Sequence, residues 1–244
     1  MNKLDGKTGV VVGGGTGIGL GCARALAESG CQVAIAGRRE HVLKQAVEQS
    51  GGTSPIRYHV VDTASRESVQ TLFAWMRQEL GQTDIMVNSA AINIVDRTMS
   101  RMKPEQWDQV LQINTTGVYN CMQAVLPEMR ERQDGVMFNI GSIAGKRAGE
   151  LGGVAYNASK FAVTALGITV GNEDGCHGIR VTTVQPGEVN TPILEQRPEP
   201  VSDERRAAML QPEDVGQVVA MIASLPARAH IPEVIIKPLK QKFA

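Results

Sequence analysis

Tyr156 and Lys160 stand four residues apart in the stretch GGVAYNASKFAVTAL, which has the composition of a helix. Residues at this spacing project from one helix face, so a phenol and an ammonium group are held as neighbours. An isolated tyrosine has a pKa of about 10 and is a poor base, but a cation within about 4–6 Å favours its phenolate. A Tyr and Lys pair of this kind is also common on protein surfaces, where the lysine stem lies on the ring.

Ser142 supplies a third group, because it follows the apolar run GVMFNI and precedes the Tyr156 stretch. A hydroxyl just past a strand of a parallel sheet lies on the ligand side and can hydrogen-bond a reacting oxygen. We therefore predict general acid/base catalysis in which Tyr156 exchanges a proton with a hydroxyl or carbonyl. Lowering the pKa of the Tyr156 phenol by about 3 units corresponds to roughly 4 kcal/mol. An effect of this size requires a partly desolvated site.

The elements that must position these groups alternate along the whole chain. Short β-branched runs, several of them continuously apolar, alternate with stretches of helical periodicity, as in a parallel sheet covered on both faces. We predict an α/β fold of the doubly wound, Rossmann-like type, with a seven-stranded, mainly parallel sheet. The strand candidates are TGVVV, QVAIA, IRYHVV, DIMVN, GVMFNI, IRVTTV and EVIIK.

The first strand ends in a glycine cluster, with Gly13, Gly17 and Gly19 in the spacing GxxxGxG. Glycine lets the backbone approach a pyrophosphate, and the helix that follows presents unpaired N–H groups to the anion. A flexible turn would have the same composition. The position of the cluster in a strand–helix–strand unit favours a dinucleotide site.

Arg38 and Arg39 follow Gly37 at the end of the second predicted strand. Guanidinium groups at this point favour a ribose 2′-phosphate, whereas an acidic residue would bind a free 2′-hydroxyl. The pattern predicts NADP(H) in preference to NAD(H). In the alternative, both arginines begin a solvated helix and Glu40 binds the ribose.

The composition excludes several other classes of protein. The 244 residues carry 25 basic and 25 acidic side chains, with no cationic segment suited to nucleic acid or an anionic membrane. The four cysteines lack metal-ligand spacing, and no signal peptide or membrane span is visible. We expect a cytoplasmic protein without a metal, one domain over residues 1–244, and a substrate flap at about residues 190–210.

Together these motifs resemble the short-chain dehydrogenase/reductase family, in its shorter single-domain branch. The resemblance rests on the glycine cluster, Asn88, Asn114, Ser142, the YxxxK motif at Tyr156 and Lys160, and QPGEVNTP after the sixth strand. It implies an NAD(P)-dependent enzyme that acts on a small carbonyl or alcohol, assembled as a homodimer or homotetramer. Val12 and the segment NSAA at 88–91 depart from the usual residues of the family, and we expect a modest loss of cofactor affinity.

The resemblance also implies a role for each matching residue. Ser142 orients the substrate, Tyr156 is the acid/base, Lys160 lowers its pKa and holds the ribose, and Asn114 holds a water that links Lys160 to solvent. Asn114 has its own physical signal, since INTTG should distort a helix and free backbone groups. The implied cofactor-binding residues are Gly13, Gly15, Thr16, Gly17, Ile18, Gly19, Arg38, Arg39, Asp62, Asn88, Ala90, Tyr156, Lys160, Pro186, Gly187, Val189 and Thr191.

Two of these residues have a structural alternative, since Asp62 near the adenine and Asn88 beside the cofactor could equally be ordinary turn caps.

The function that we expect is a carbonyl reductase that interconverts a secondary alcohol and a carbonyl with NADP(H). The alternative is a dinucleotide-binding regulatory protein that keeps the fold without turnover.

Overall fold

The strands form one parallel sheet in a computed structural model that describes residues 3–50 and 55–242. Each predicted run contains a strand, and the seven strands of the described residues pair in the order β3-β2-β1-β4-β5-β6-β7. Every pairing is parallel, so the expected sheet is confirmed. The strands are β1 Thr8–Val12, β2 Gln32–Gly37, β3 Arg57–Val60, β4 Ile85–Asn88, β5 Gly135–Ile140, β6 Ile179–Pro186 and β7 Glu233–Ile236.

The helices connect these strands and cover the sheet. They are α1 Gly17–Glu28, α2 Glu40–Glu48, α3 Arg66–Glu79, α4 Pro104–Leu111, α5 Gly117–Arg132, α6 Val154–Asp174, α7 Asp203–Ala207 and α8 Pro212–Ala223. Pro104 is the first residue of α4, where its missing N–H costs nothing. A π-helical turn, Gln112–Thr116, joins α4 to α5, and 3₁₀ turns cover Ile143–Gly145, Gly175–His177 and Pro192–Gln196.

Alternate residues of the central strands point to opposite faces of the sheet, as the period of a β-strand requires. Val11 packs with side chains of α1, α2 and α8, whereas Val10 and Val12 pack with α3, α5 and α6. Both clusters are fully buried, which explains why the strands read as continuous apolar runs. The carboxyl ends of all strands therefore meet at one edge between two layers of helices.

The chain reverses its direction across the sheet after β3. From β1 it runs outward through β2 and β3, and it then returns to place β4 on the other side of β1. Such a switch point opens a crevice at the carboxyl ends of the two central strands. The glycine cluster follows β1 and Asn88 ends β4, so both lie at this crevice.

No helix within the described ranges has both the length and the hydropathy needed to cross a bilayer.

Three cysteines are buried, and burial raises the pKa of the Cys22, Cys31 and Cys121 thiols to about 12. They remain protonated at neutral pH. Among the residues that the structure describes, no group of three or more His, Cys, Asp or Glu could hold a metal ion.

Candidate active site

A cleft of about 1000 Å³ lies beyond the carboxyl ends of the central strands. The glycine turn and the two arginines after β2 line one part of it, and Ser142, Tyr156 and Lys160 line another. The segments that were predicted separately from sequence therefore meet in one space. The predicted cofactor-binding residues that line the cleft are Gly13, Gly15, Thr16, Gly17, Ile18, Arg38, Arg39, Ala90, Tyr156, Lys160, Pro186, Gly187, Val189 and Thr191.

The turn after β1 is tight enough to require glycine. Gly13 has a φ of 78°, and a Cβ there would lie 2.7 Å from Ala90 Cα. Thr16 is the N-cap of α1, but its side chain makes no capping hydrogen bond and the first turn of the helix has no acidic residue. The N–H groups that begin α1 are thus left without a side-chain acceptor, as an anion site requires. Gly19 lies below the turn, buried, and does not line the cleft.

Arg38 and Arg39 are exposed and both line the cleft. Glu40, the alternative ribose ligand, is the first residue of α2 and does not line it. Its carboxylate lies 2.9 Å from the Lys44 ammonium group and 3.4 Å from the Tyr58 hydroxyl. Of these three residues, the two arginines line the cleft and Glu40 does not.

Asp62 and Asn88 do not line the cleft. Asp62 is exposed and its carboxylate accepts from the Ala64 N–H at 3.0 Å, as in an ordinary turn. Its neighbours Val61 and Thr63 line the cleft instead. Asn88 is buried and donates to the Asn139 side chain at 2.9 Å across β4 and β5. A contact of Asp62 with the adenine stays a prediction.

Asn114 lies in the π-helical turn between α4 and α5, so the predicted distortion of this helix is confirmed. Its side chain is buried and holds the backbone of Ile92 through both atoms, accepting at 2.8 Å and donating at 2.9 Å. It also donates to the Ser159 hydroxyl at 3.1 Å. Asn114 thereby fixes the loop after β4 to the helix that carries Tyr156.

Tyr156 and Lys160 lie one turn apart in α6, as predicted. The Lys160 ammonium nitrogen lies 5.5 Å from the centroid of the Tyr156 ring and donates to the Ile140 carbonyl at 2.8 Å. Lys160 is only 3% exposed, whereas the Tyr156 side chain is partly exposed to the cleft. This pair is thus part of a cleft wall and not a surface pair.

The pKa of the Tyr156 phenol is set mainly by burial. Burial raises the pKa of Tyr156 above its usual value, and this effect outweighs the lowering by a hydrogen bond from Ser142 and by the charge of Arg97. Burial also lowers the pKa of Lys160 from 10.5 to about 8. Among the protein's own groups, the low-dielectric surroundings thus disfavour the phenolate. The predicted lowering includes the positive nicotinamide ring of an oxidised cofactor, and it stays a prediction.

Ser142 is held by a residue that the sequence did not identify. Its backbone N–H donates to the Gln185 side chain at 2.8 Å, and its hydroxyl accepts from the Ala144 N–H at 3.1 Å. Gln185 is fully buried in β6, and its amide group donates to Thr164 and to Glu233 at 2.9 and 3.0 Å. The sequence signal was weak, because Gln185 stands in a β-branched strand that also contains Arg180 and two threonines.

We expect Gln185→Leu to lower kcat by about 10- to 100-fold, because small displacements of a reacting group have effects of this size. The KM for the cofactor should change less than kcat, since Gln185 makes no contact with Arg38 or the glycine turn and only precedes Pro186 in β6. Steady-state kinetics and a thermal melt measure both quantities. Thr164→Val is the matched control, because it removes one partner of Gln185 and leaves the bond to Ser142. Equal loss of kcat in the two variants would contradict this role.

The segment that we call the flap, residues 190–210, closes one side of the cleft. Glu188 precedes it and accepts from Arg197 and from Arg205, both at 2.8 Å. Arg206 donates to Asn190 at 3.1 Å, and the backbone of Val189 pairs with Leu210. These contacts bring the two ends of the flap together beside Gly187, and the buried side chains of Leu194 and Met209 also hold the flap to the rest of the fold.

Comparison with known proteins decides the class to which the chain belongs. The sequence pattern of the family described as short chain dehydrogenase matches residues 7–202. The chain belongs to the short-chain dehydrogenase family. Its fold and its enzyme class, an oxidoreductase, therefore agree with the resemblance carried by the sequence motifs.

Relatives of this short-chain dehydrogenase match it along almost its entire length. An uncharacterized oxidoreductase of Staphylococcus saprophyticus is 30% identical over 98% of this chain and 100% of its own. A 3-oxoacyl-[acyl-carrier-protein] reductase of Thermotoga maritima is 31% identical over 91% of this chain and 92% of its own. The closed form of a serine dehydrogenase complexed with NADP+ has a TM-score of 0.88 at 27% identity, with 97% of each chain covered.

Proposed function

We propose that this short-chain dehydrogenase interconverts a secondary alcohol and a carbonyl with NADP(H), and that it works mainly as a carbonyl reductase. The observation that carries the proposal is the single cleft lined both by the glycine turn with Arg38 and by Ser142 with Tyr156. Such a lining combines donors for an anionic dinucleotide with a proton donor for a reacting oxygen. The relatives named above, a reductase and an NADP+ complex, support the same assignment.

The residues present fit a nicotinamide dinucleotide. The uncapped N-terminus of α1 and the backbone of Gly13 would hold the diphosphate, and Arg38 and Arg39 the 2′-phosphate. Pro186, Gly187, Val189 and Thr191 would face the nicotinamide end. When bound, the reduced nicotinamide supplies the hydride that adds to the carbonyl carbon.

The chain's own residues supply the proton and the orientation. Tyr156 gives its hydroxyl proton to the carbonyl oxygen, which Ser142 orients by a hydrogen bond. The phenol is protonated at neutral pH, which is the form that reduction needs. Lys160 holds the ribose, and the distorted helix at Asn114 holds a water that connects its ammonium group to solvent.

Consumption of NADPH in the presence of ketones, aldehydes, 3-oxoacyl thioesters and sugars tests this proposal. We expect turnover of at least one of these classes and loss of that turnover without Tyr156. Binding of NADPH together with no turnover of any class would instead favour a regulatory dinucleotide-binding protein. The relative from Thermotoga maritima makes 3-oxoacyl thioesters the first class to measure.

The preference for NADP(H) predicts a selective effect of the arginines. Arg38→Ala should raise the KM for NADPH by about 10- to 100-fold, since a hydrogen bond to a charged group contributes about 1.5–3 kcal/mol. The KM for NADH should change little, because NADH has no 2′-phosphate. The measurement is repeated for Arg39→Ala and for Arg228→Ala, an exposed control outside the cleft. Equal changes for both cofactors would argue against a 2′-phosphate site.

We propose that copies of this chain associate through the exposed faces of α5 and α6. Tyr119 on α5 and Phe161 and Ile168 on α6 are each between 44% and 48% exposed. Exposed large apolar side chains favour association where they form a patch. A homodimer or homotetramer is the expected result of sedimentation measurements.

A further inference from the structure

Arg97, in the loop between β4 and α4, is charged and yet 5% exposed. No carboxylate in the described part of the chain lies within ion-pair distance of its guanidinium group. Arginines are almost never buried without such a partner, since desolvation of the charge costs several kcal/mol. Ion pairing with a carboxylate therefore does not explain why Arg97 is buried.

Its donors reach three different segments of the chain. Arg97 donates to the carbonyl of Ile94 at 2.9 Å, to that of Leu151 at 2.7 Å and to that of Gln196. These carbonyls belong to the loop after β4, the loop before α6 and the flap. All three acceptor residues line the cleft, whereas Arg97 itself lies behind them. One guanidinium group thus joins three walls of the cleft.

The backbone of Arg97 also fixes the beginning of α6. Its carbonyl accepts from the Val154 N–H at 3.0 Å, and Val154 is the first residue of the helix that carries Tyr156. Gly153 has a φ of 78°, and a Cβ there would collide with the Arg97 side chain. Arg97 is therefore in contact with both the flap and the helix of Tyr156.

Arg97 is also a cation beside the start of α6, the helix in which Tyr156 is the third residue. The Lys160 ammonium nitrogen on α6 lies 5.5 Å from the centroid of the Tyr156 ring. Arg197 in the flap acts on Arg97, and it is paired with Glu188 at 2.8 Å. Burial raises the pKa of Tyr156, and the charge of Arg97 lowers it. Removal of this charge should raise the phenol's pKa further.

We propose that Arg97 is a positioning residue that fastens the flap to the helix of Tyr156 and keeps a positive charge beside the phenol. The first part depends only on contacts within the fold, and the second part rests on the proposed function. A neutral residue at this position could not supply both donors to three carbonyls and a positive charge. These two roles offset the cost of burying the Arg97 guanidinium group.

Hydrogen–deuterium exchange of the flap tests the first part without any measurement of activity. In Arg97→Met, peptides covering residues 190–210 should exchange faster, roughly tenfold, because the donor to Gln196 is lost. Arg97→Lys should show an intermediate rate, since a lysine cannot reach three carbonyls. Arg101→Met is the matched control in the same region, as Arg101 is exposed and pairs with Asp96 at 3.0 Å. Unchanged exchange in a folded Arg97→Met protein would overturn the proposal.

Kinetics test the second part. Arg97→Met should raise the KM for the carbonyl substrate about tenfold. In alcohol oxidation, where the phenol must lose its proton, the rising limb of the pH profile should move to higher pH. Arg97→Lys should restore the position of this limb, because it keeps the charge. A purely structural role would change the melting temperature and leave the limb in place, and that result would overturn the second part.

These outcomes are distinguishable from failure of the proposed function. If no alcohol or carbonyl is turned over by the unaltered enzyme, the proposed function fails, and the exchange of the flap still decides the first part. If Arg97→Met does not fold, Arg97→Lys carries the test, with faster exchange of the flap as support and unchanged exchange as contradiction.

Discussion

Replacing Tyr156 with Phe should lower kcat by about 10²–10⁴-fold, the range in which a positioned acid or base contributes. The variant keeps the ring, so its contact with the Lys160 ammonium group, 5.5 Å from the ring centroid, is retained. Only the hydroxyl that would give its proton to the carbonyl oxygen is lost. The affinity for NADPH should therefore remain within about twofold, which ligand-dependent fluorescence can measure.

Tyr58→Phe is the control for this variant, because Tyr58 lies in β3 and does not line the cleft. Its kcat should equal that of the unaltered enzyme. Full activity of Tyr156→Phe on a substrate that the unaltered enzyme reduces would remove the assigned proton donor. The proposed chemistry would then need another acid among the residues of the cleft.

Replacing Lys160 with Met should abolish most turnover and at the same time stabilise the protein. The fall of the Lys160 pKa from 10.5 to about 8 corresponds to roughly 3 kcal/mol of destabilisation at neutral pH. Loss of the hydrogen bond to Ile140 offsets about 1 kcal/mol of the gain. The net gain of about 2 kcal/mol should raise Tm by about 4–8 °C for a chain of this size.

The pH dependence of this gain has a definite sign. Between pH 8 and 10.5 the unfolded chain binds more protons at Lys160 than the folded chain, so the stability of the unaltered protein rises with pH. The advantage of Lys160→Met should therefore be greatest below pH 8 and should disappear above pH 10.5. Lys44→Met, which removes an exposed surface pair with Glu40, should show neither effect. A pH-independent advantage would show that the ammonium group is not the cause.

The elements could be predicted from the sequence because their signals are local. Each β-branched run became a strand, since continuous apolar residues suit a strand covered on both faces. The INTTG segment predicted a distorted helix for a similar reason, because Asn and Thr disfavour regular helical geometry. The edge of the sheet at which Ser142 and Tyr156 lie could also be predicted, because ligands bind at the carboxyl ends of parallel strands.

The environment of the site could not be predicted in the same way. The spacing of Tyr156 and Lys160 gave their proximity, but the direction of the phenol's pKa depends on burial by the loops after β4 and β5 and by the flap. Gln185 acts on Ser142 from the neighbouring strand in the sheet, 43 residues along the chain. Asp62 fitted the family motif, yet its carboxylate faces its own turn.

By itself the sequence determined the parallel sheet, the glycine turn, and the neighbouring phenol and ammonium groups, because periodicity and spacing act over a few residues. Only the tertiary structure decided which charges are desolvated, which walls Arg97 joins and which amide fixes Ser142. These properties depend on contacts between segments that are distant along the chain, and no local pattern encodes the dielectric surroundings that such contacts create.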